Sequence, residues 1–519
     1  MTIEEKNEVH MVEDIRPEGE TMEDVLPDYG KFAFLRVPHL LRLNLLLLLC
    51  MISSTNNGYD GSMLNGLQSM DSWQDTFNHP KGQHLGGLAN GMMFGGIATW
   101  PILPYITDRW GRKLPIAGGC VLIIVGAIIQ AVSNDYAVFL VGRLILGFGS
   151  SFCTGCSPLL LAESSYPAHR HVVTAIYNTL WYLGSIIAAW LTLGTSYVTT
   201  TWSWRIPCIC QGFLPLIQLL MIYWVPESPR YLIDKHRYAE ARALLVKHHA
   251  GGDVNSKLVD YEMAEISSAL ELEKIQNETS YLDFLKTKAN KHRLFLIIMI
   301  PINMQMSGNG LVSYYLNLVL DSIGITDQRQ QLYLNGGLQI YNFFWAVFWT
   351  FFVESLGRRR LFLISFSGML VTYIIWTALS GAGTPSNFAN KSLANGVLAM
   401  IFLYYFCYGI ALNGPAVLYY TEILPYQLRA KGLNITQIVT TLTLIYNGFV
   451  NPVAMDAIGW KYYIVWCCVI AVELVICYFF YPETKGHTLE TVGSVFGEEV
   501  HVTSDLGVGL GRENEKPVA

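Results

Sequence analysis

The chain has 519 residues, of which 52% are hydrophobic and 14% charged, with a formal net charge of -6. Soluble domains carry about 25% charged residues, so this composition excludes an ordinary soluble domain and indicates a membrane protein. The small negative balance comes from the acidic ends and gives no basis for a nucleic-acid partner.

A membrane-spanning helix needs about 20 mostly apolar residues. Residues 1–37 are polar and acidic and read as a cytosolic disordered N-terminus, with no secretory signal before the first span. Six candidate spans follow, at 40–63, 85–106, 114–133, 137–161, 172–195 and 205–225. Residues 227–292 form a polar central loop. Its YAEARALLVKHH segment has helical charge patterning and predicts short amphipathic helices on the inner face, with His248 and His249 on a solvated surface. Six further spans occupy 293–319, 332–353, 360–380, 396–421, 433–455 and 461–481, and 485–519 reads as a cytosolic tail. The expected fold is an all-α integral membrane protein of twelve transmembrane helices, divided into an N-terminal six-helix half (38–226), the central loop and a C-terminal six-helix half (293–484).

All ten cysteines fall inside predicted spans, which argues against an extracellular disulfide framework. Cys153 and Cys156 are spaced C-x-x-C, but no second ligand pair accompanies them, so they read as small residues packing a helix face rather than a metal site. No nucleophile–base set or phosphate loop supports an enzyme, and no cofactor is expected.

Short-loop Lys and Arg set membrane orientation. With the N-terminus inside, the inner loops carry Arg109, Arg112, Lys113, Arg170, Arg358, Arg359, Arg360, Arg429 and Lys431, against Lys81, Arg205, Arg329, Lys391 and Lys461 outside. Both termini are therefore expected in the cytosol. The glycosylation sequon Asn390-Lys391-Ser392 falls in an outer loop, which fits passage to the plasma membrane, whereas Asn277-Glu278-Thr279 falls inside and should be silent.

Three signatures occur twice in the same order, each recurring roughly 250 residues later. DRWGRK (108–113) is answered by ESLGRRR (354–360), Glu163 with Arg170 by Glu422 with Arg429, and PESPR (226–230) by PETKG (482–486). Such parallel duplication places a substrate site between the halves near the bilayer midplane. The repeated charges predict inner-face salt bridges among Asp108, Arg109, Arg112, Glu163, Arg170, Glu227 and Arg230 in one half, and Glu354, Arg358, Glu422, Arg429 and Glu483 in the other. These contacts are expected to break when that face opens.

Six plus six spans with DRWGRK, PESPR and PETKG resemble the sugar porter branch of the major facilitator superfamily over about residues 40 to 490. NGYDGS, YNTLWYLGS, WSWRIP and SGNGLVSYYLNLVL look most similar to fungal lactose and cellodextrin permeases. The resemblance implies sugar and proton as partners, a monomer in the lipid bilayer, and alternating access.

A sugar site must replace the water stripped from each hydroxyl or lose about 1–3 kcal/mol. Asn and Gln suit this because each carries donors and an acceptor, and Tyr or Trp supplies a plate for the ring's C–H face. In MQMSGNGLVSYY (304–315), Gln305 matches one Gln of the family's pattern, Met304 stands in place of the other, and Asn309 and Tyr314 follow. Loss of a Gln, with Gly310 added, is expected to make room for a second ring. Asn342, Asn447, Trp181, Tyr182 and Asn413 complete the predicted contacts. The two Gly of SGNG and the Gly-Pro step after Asn413 would loosen their helices, which suits gating.

Asp60 in NNGYDGS and Arg143 in VGRLILGFG lie within spans, where an ionisable group costs roughly 2.5–3.5 kcal/mol on insertion scales. Opposite buried charges in one half should pair. If paired, Asp60 stays charged; if separated and desolvated, it takes a proton. The resemblance assigns the same two positions to proton coupling. Glu473 has no partner in view. The leading reading is a proton-coupled importer of a disaccharide such as lactose or cellobiose; the alternatives are a hexose or pentose transporter, an uncoupled facilitator, and a non-transporting sugar receptor.

Overall fold

The computed structural model describes residues 22–27, 29, 36–276, 280–350, 357–386, 388–485 and 496. Most of the predicted N-terminal and C-terminal segments, the 277–279 sequon and Glu354 lie outside the described residues.

Lipid offers no partner for a backbone N–H or C=O, so a spanning segment must satisfy its own. Helices do this throughout, and no strand occurs among the described residues. The N-terminal half contains α1 (Pro38–Gln68), α2 (Gly82–Thr99), α3 (Lys113–Val132), α4 (Tyr136–Ser164), α5 (Arg170–Thr195), α6 (Trp202–Cys210) and α7 (Phe213–Met221). The central loop forms α8 (Tyr238–His248) and α9 (Lys257–Gln276). The C-terminal half contains α10 (Lys288–Met306), α11 (Asn309–Ser322), α12 (Gln328–Thr350), α13 (Arg358–Gly383), α14 (Lys391–Ala411), α15 (Pro415–Ile423), α16 (Tyr426–Ile458) and α17 (Tyr462–Phe480). Each expected span coincides with one helix or a broken pair. By length and composition, nine stretches of the described residues can cross a membrane, one of them covering both α16 and α17.

Val121, Val125, Ile128 and Val132 lie on one exposed face of α3, an apolar stripe that water would not tolerate and lipid does. The opposite face is built from glycine. A Cβ on Gly119 would sit 2.6 Å from the Gly149 carbonyl, and one on Gly126 would sit 2.8 Å from that of Gly142. Small residues thus let α3 and α4 meet backbone to backbone, which is how helices associate where no hydrophobic force separates them from solvent. Cys153 packs beside Gly119 and Cys120, as a small apolar residue would.

The duplicated signatures build the same clamp twice. Glu227 accepts the backbone N–H of Arg112 (3.1 Å) and Lys113 (3.4 Å), while the Arg112 guanidinium meets Glu163 at 3.0 Å. In the other half Glu483 accepts the N–H of Arg358 (2.8 Å) and Arg359 (3.2 Å), and Arg358 meets Glu422 at 2.7 Å. The glycine ahead of each arginine, Gly111 (φ 83°) and Gly357 (φ 85°), is left-handed, and a Cβ there would approach the glutamate oxygen at 2.6 and 2.8 Å. The predicted set is only partly assembled. Glu163 takes Arg112 rather than Arg170, which stands exposed at the start of α5 beyond a 3-10 turn (Pro167–His169). Asp108 and Arg109 are exposed, Arg109 bonding Tyr105, and Arg230 is half-buried. Arg429 reaches the Leu424 carbonyl.

His248 and His249 are not on a solvated surface. Both are buried, because α8 and α9 dock under the end of α4. His249 Nδ1 meets Glu262 at 2.8 Å, and its Nε2 lies 3.3 Å from the Ser164 carbonyl. Burial, aided by the charges of Lys247 and His249, pushes the His248 imidazole down to about 4.

Gly357→Ala combines the left-handed penalty of about 1–2 kcal/mol with displacement of Glu483. Gly459→Ala, at another positive φ (54°) with nothing within 4 Å of a Cβ, meets the backbone penalty alone. Thermal unfolding of detergent-purified protein should show the larger loss for Gly357→Ala; equal losses would mean that the carboxylate contact contributes nothing.

Candidate functional site

The halves touch through α1 with α11, α2 with α16 and α5 with α12. Polar contacts concentrate at the end away from the clamps. Asn65 Nδ2 donates to Asn335 (3.4 Å), its Oδ1 accepts Leu316 N–H (3.2 Å), and Gln68 donates to the Tyr314 carbonyl (3.0 Å). Tyr197 meets Tyr333 at 3.0 Å, while within the C-terminal half Tyr315 donates to the Gly448 carbonyl at 2.6 Å. This end is shut.

Beneath it a cavity of about 250 Å³ lies between the halves. Gln305, Asn309, Tyr314, Asn342 and Asn413 of the C-terminal half line it, opposite Trp181 and Tyr182 of α5. Seven of the eight residues predicted to contact substrate therefore share one cavity. A second, larger space of about 940 Å³ continues toward the clamp end, lined by Asn57, Trp100, Tyr281, Asn434 and Gln437, and shares Asn178 and Trp181 with the first. In the first cavity, Asn413 Nδ2 donates to the Tyr182 hydroxyl, a bond that joins the halves. The molecule is closed at one end and opens toward the clamp end. The Arg112–Glu163 and Arg358–Glu422 pairs are nevertheless intact, and each lies within a half. The expectation that they break when this face opens does not hold here, because neither pair crosses between the halves.

The sequence breaks its helices at the cavity. After α10 the chain turns at Gly308 (φ 89°), whose carbonyl accepts the Tyr373 hydroxyl at 3.1 Å, and Tyr315 (φ -139°, ψ 36°) kinks α11. The Gly-Pro step separates α14 from α15. These breaks turn amides toward the cavity. Asn309 Nδ2 donates to Tyr408 (3.2 Å), and its Oδ1 accepts the Ser313 hydroxyl (2.8 Å). Gln305 Oε1 and Asn342 Oδ1 are buried and have no hydrogen-bond partner. Trp181 and Tyr182 meet edge to face at 5.1 Å, beside Trp345, Tyr405 and Tyr408.

Asn447 is not among the lining residues. It is 1% exposed and donates to the Gln305 carbonyl at 2.7 Å, supporting the site from behind. Gly310 likewise faces Asn447, whose amide would lie 3.2 Å from a Cβ there, so it opens no room for a ring; Met304 is the departure from the family pattern that does border the cavity. Sequence reading missed Asn178, Ser313, Gln339, Tyr405 and Tyr408. Gln339 lies one helical turn before Asn342, a spacing that placed it on the same face.

Asp60 and Arg143 are 0% and 3% exposed, but they form no ion pair. Gln211 Nε2 donates to Asp60 Oδ1, and Asn56 Nδ2 lies 3.5 Å from Oδ2. Arg143 donates through Nε to the Leu88 carbonyl at 3.3 Å and leaves buried Nη1 unpartnered. The expected partnership is thus replaced by an amide that gives Asp60 a donor without a charge.

The family model described as "Sugar (and other) transporter" matches residues 46–496. The chain belongs to that family. The transporter is 31% identical over 411 residues to the MFS-type transporter oryC of Aspergillus oryzae, covering 78% of this chain and 75% of that one. It is 26% identical to a high-affinity glucose transporter of Kluyveromyces lactis, covering 91% and 87%. The transporter's fold matches the inward-open xylose transporter XylE of E. coli with a TM-score of 0.71 at 20% identity, covering 87% of this chain and 99% of that one.

A Cβ on Gly58 would lie 1.8 Å from the Trp181 carbonyl, whereas one on Gly61 would make ordinary contact with the Trp181 ring at 3.6 Å. Gly58→Ala should separate α1 from α5 at a cost of about 1–3 kcal/mol or more and lower the yield of monodisperse protein on size exclusion. Gly61→Ala should fold normally; equal behaviour of the two would remove the close approach as the support of Trp181.

Proposed function

We propose that this transporter imports sugar together with protons by alternating access, with the sugar held in the cavity between the halves. The observation that carries this reading is that Gln305 and Asn342, each with a buried acceptor oxygen that has no partner, line one cavity together with Trp181, Tyr182 and Trp345. Such acceptors suit the hydroxyl donors of a sugar, and the aromatic faces suit its C–H surface. Asn309, Asn413, Tyr314, Trp181 and Tyr182 complete the contacts.

In this proposal residues 38–226 and 293–484 rock about the cavity, 227–292 lies in the cytosol with both termini, and the protein works in the plasma membrane. Asp60 carries a proton while Arg143 is disengaged, as here. Its ionised form pairs with Arg143 when the halves rearrange. XylE is named a proton:xylose symporter, which supports the coupling without transferring its substrate.

The substrate proposed is a disaccharide such as lactose or cellobiose. The resemblance to fungal permeases supports it, as does the continuity of the cavity with the larger space past Asn178 and Trp181, where a second ring has room. A hexose is the second reading, favoured by glucose and hexose transporters among the relatives.

Uptake of labelled cellobiose, lactose and glucose in transporter-deficient yeast at acid pH tests these points together. Wild type should concentrate one sugar class, and both a protonophore and Asp60→Asn should abolish accumulation. Equilibrating uptake unaffected by either would make the protein a facilitator. Asn342→Ala and Gln305→Ala should each weaken binding of that sugar by about 1–3 kcal/mol, roughly five- to 150-fold in Kd. Tryptophan-fluorescence titration measures this, and unchanged affinity in both variants would move the site elsewhere.

A further inference from the structure

The clamp-end space carries the same chemistry as the first cavity. Among the described residues, the side-chain amides of Asn57 and Asn178 in the N-terminal half and of Gln437 in the C-terminal half line it without a hydrogen-bond partner. Asn434 has one long contact, its Nδ2 lying 3.4 Å from the Tyr281 hydroxyl, which a short turn (Tyr281–Leu285) places just ahead of α10. Trp100 and Trp181 supply aromatic faces. Convergent polar groups on an aromatic lining mark a binding pocket, and an exit for water and solute has no need of them.

Helix periodicity ties this space to the first cavity. On α1, Asn57 stands four residues before Gly61, and on α5, Asn178 stands four before Tyr182. Residues so spaced share one helix face and lie about 5.4 Å apart along the axis. Gly61 and Tyr182 line the first cavity, Asn57 lines the clamp-end space, and Asn178 and Trp181 line both. The same two helices therefore carry two successive layers of sugar-binding side chains, with Asn178 and Trp181 at the join. Adjacent rings of a disaccharide are offset by a comparable step, because a single glycosidic oxygen joins them.

We propose that the clamp-end space is the subsite for the second ring of a disaccharide, with Asn57 and Gln437 as the residues that distinguish a disaccharide from a single ring. The inference rests on the disaccharide reading above and assigns that ring its partners. One ring occupies the first cavity against Gln305 and Asn342, and the glycosidic oxygen passes Asn178 and Trp181. The hydroxyls of the second ring then meet Asn57 from one half and Gln437 from the other, each amide offering both donors and an acceptor. A monosaccharide in the first cavity reaches neither. Because the two amides stand on opposite halves, this grip belongs to the state described here, open at the clamp end.

The test is titration of detergent-purified full-length wild type, Asn57→Ala and Gln437→Ala with cellobiose, lactose and glucose, followed by tryptophan fluorescence. Wild type should bind one of the disaccharides more tightly than glucose. Each substitution should lower the ratio of disaccharide to glucose affinity about fivefold or more, the loss expected for one hydrogen-bonding group. An unchanged ratio in either variant would overturn the subsite while leaving the disaccharide reading standing. A wild type that binds neither disaccharide more tightly than glucose would sink that reading, and the subsite with it. If a variant fails to fold, labelling of Gln437→Cys protein with a water-soluble maleimide decides. Protection by the disaccharide beyond that given by saturating glucose supports the subsite; equal protection, or none, refutes it.

Discussion

A carboxylate that collects two backbone N–H groups beside a left-handed glycine holds each half of this molecule together at one end. Glu227 does so for the turn before α3, and Glu483 for the turn before α13. Each then leaves an arginine free to meet a second glutamate on a neighbouring helix. Charge-assisted bonds to backbone donors are short and directional, so the turn geometry and the helix spacing are fixed by the same two groups. Because both clamps close inside their own halves, each half can move as a body. The interface between them is left to weaker contacts, namely amides, tyrosine hydroxyls and glycine-lined crossings.

That division of labour suits a cavity whose walls must separate and meet again. The shut end is sealed by hydrogen bonds of Asn65, Gln68 and Tyr197 to the other half. Each such bond contributes about 0.5–1.5 kcal/mol net, which a change of substrate or proton occupancy can offset. The charged groups most costly to bury are placed differently. Asp60 rests on a neutral amide, Arg143 on a carbonyl, and Glu473 on nothing.

The twelve spans were legible because apolar length is a local property, and the duplication because its signatures recur in order. Gln305, Asn342 and Asn309 were legible as amides where lipid-facing sequence has no use for them. What could not be read was helical phase. The break at Gly308 and the kink at Tyr315 reset which side of α11 faces the cavity, so Gly310 turned out to lie behind it, against Asn447 of α16. Partnerships across many residues were equally hidden. Glu163 finds Arg112 rather than the arginine seven positions away, and Asp60 finds Gln211 on another helix. The burial of His249 depends on two loop helices docking beneath α4, which no local pattern in YAEARALLVKHH records.

The cysteines carry a practical consequence. All ten are unpaired, seven are buried, two are partly covered, and only Cys468 is exposed, on the membrane-spanning helix α17. A membrane-impermeant, water-soluble maleimide reacts with the thiolate and needs aqueous access to it. None of the native thiols stands among the residues that line either cavity. Single cysteines introduced on the cavity walls can therefore report alternating exposure by labelling in an otherwise natural background, without first stripping the protein of its own.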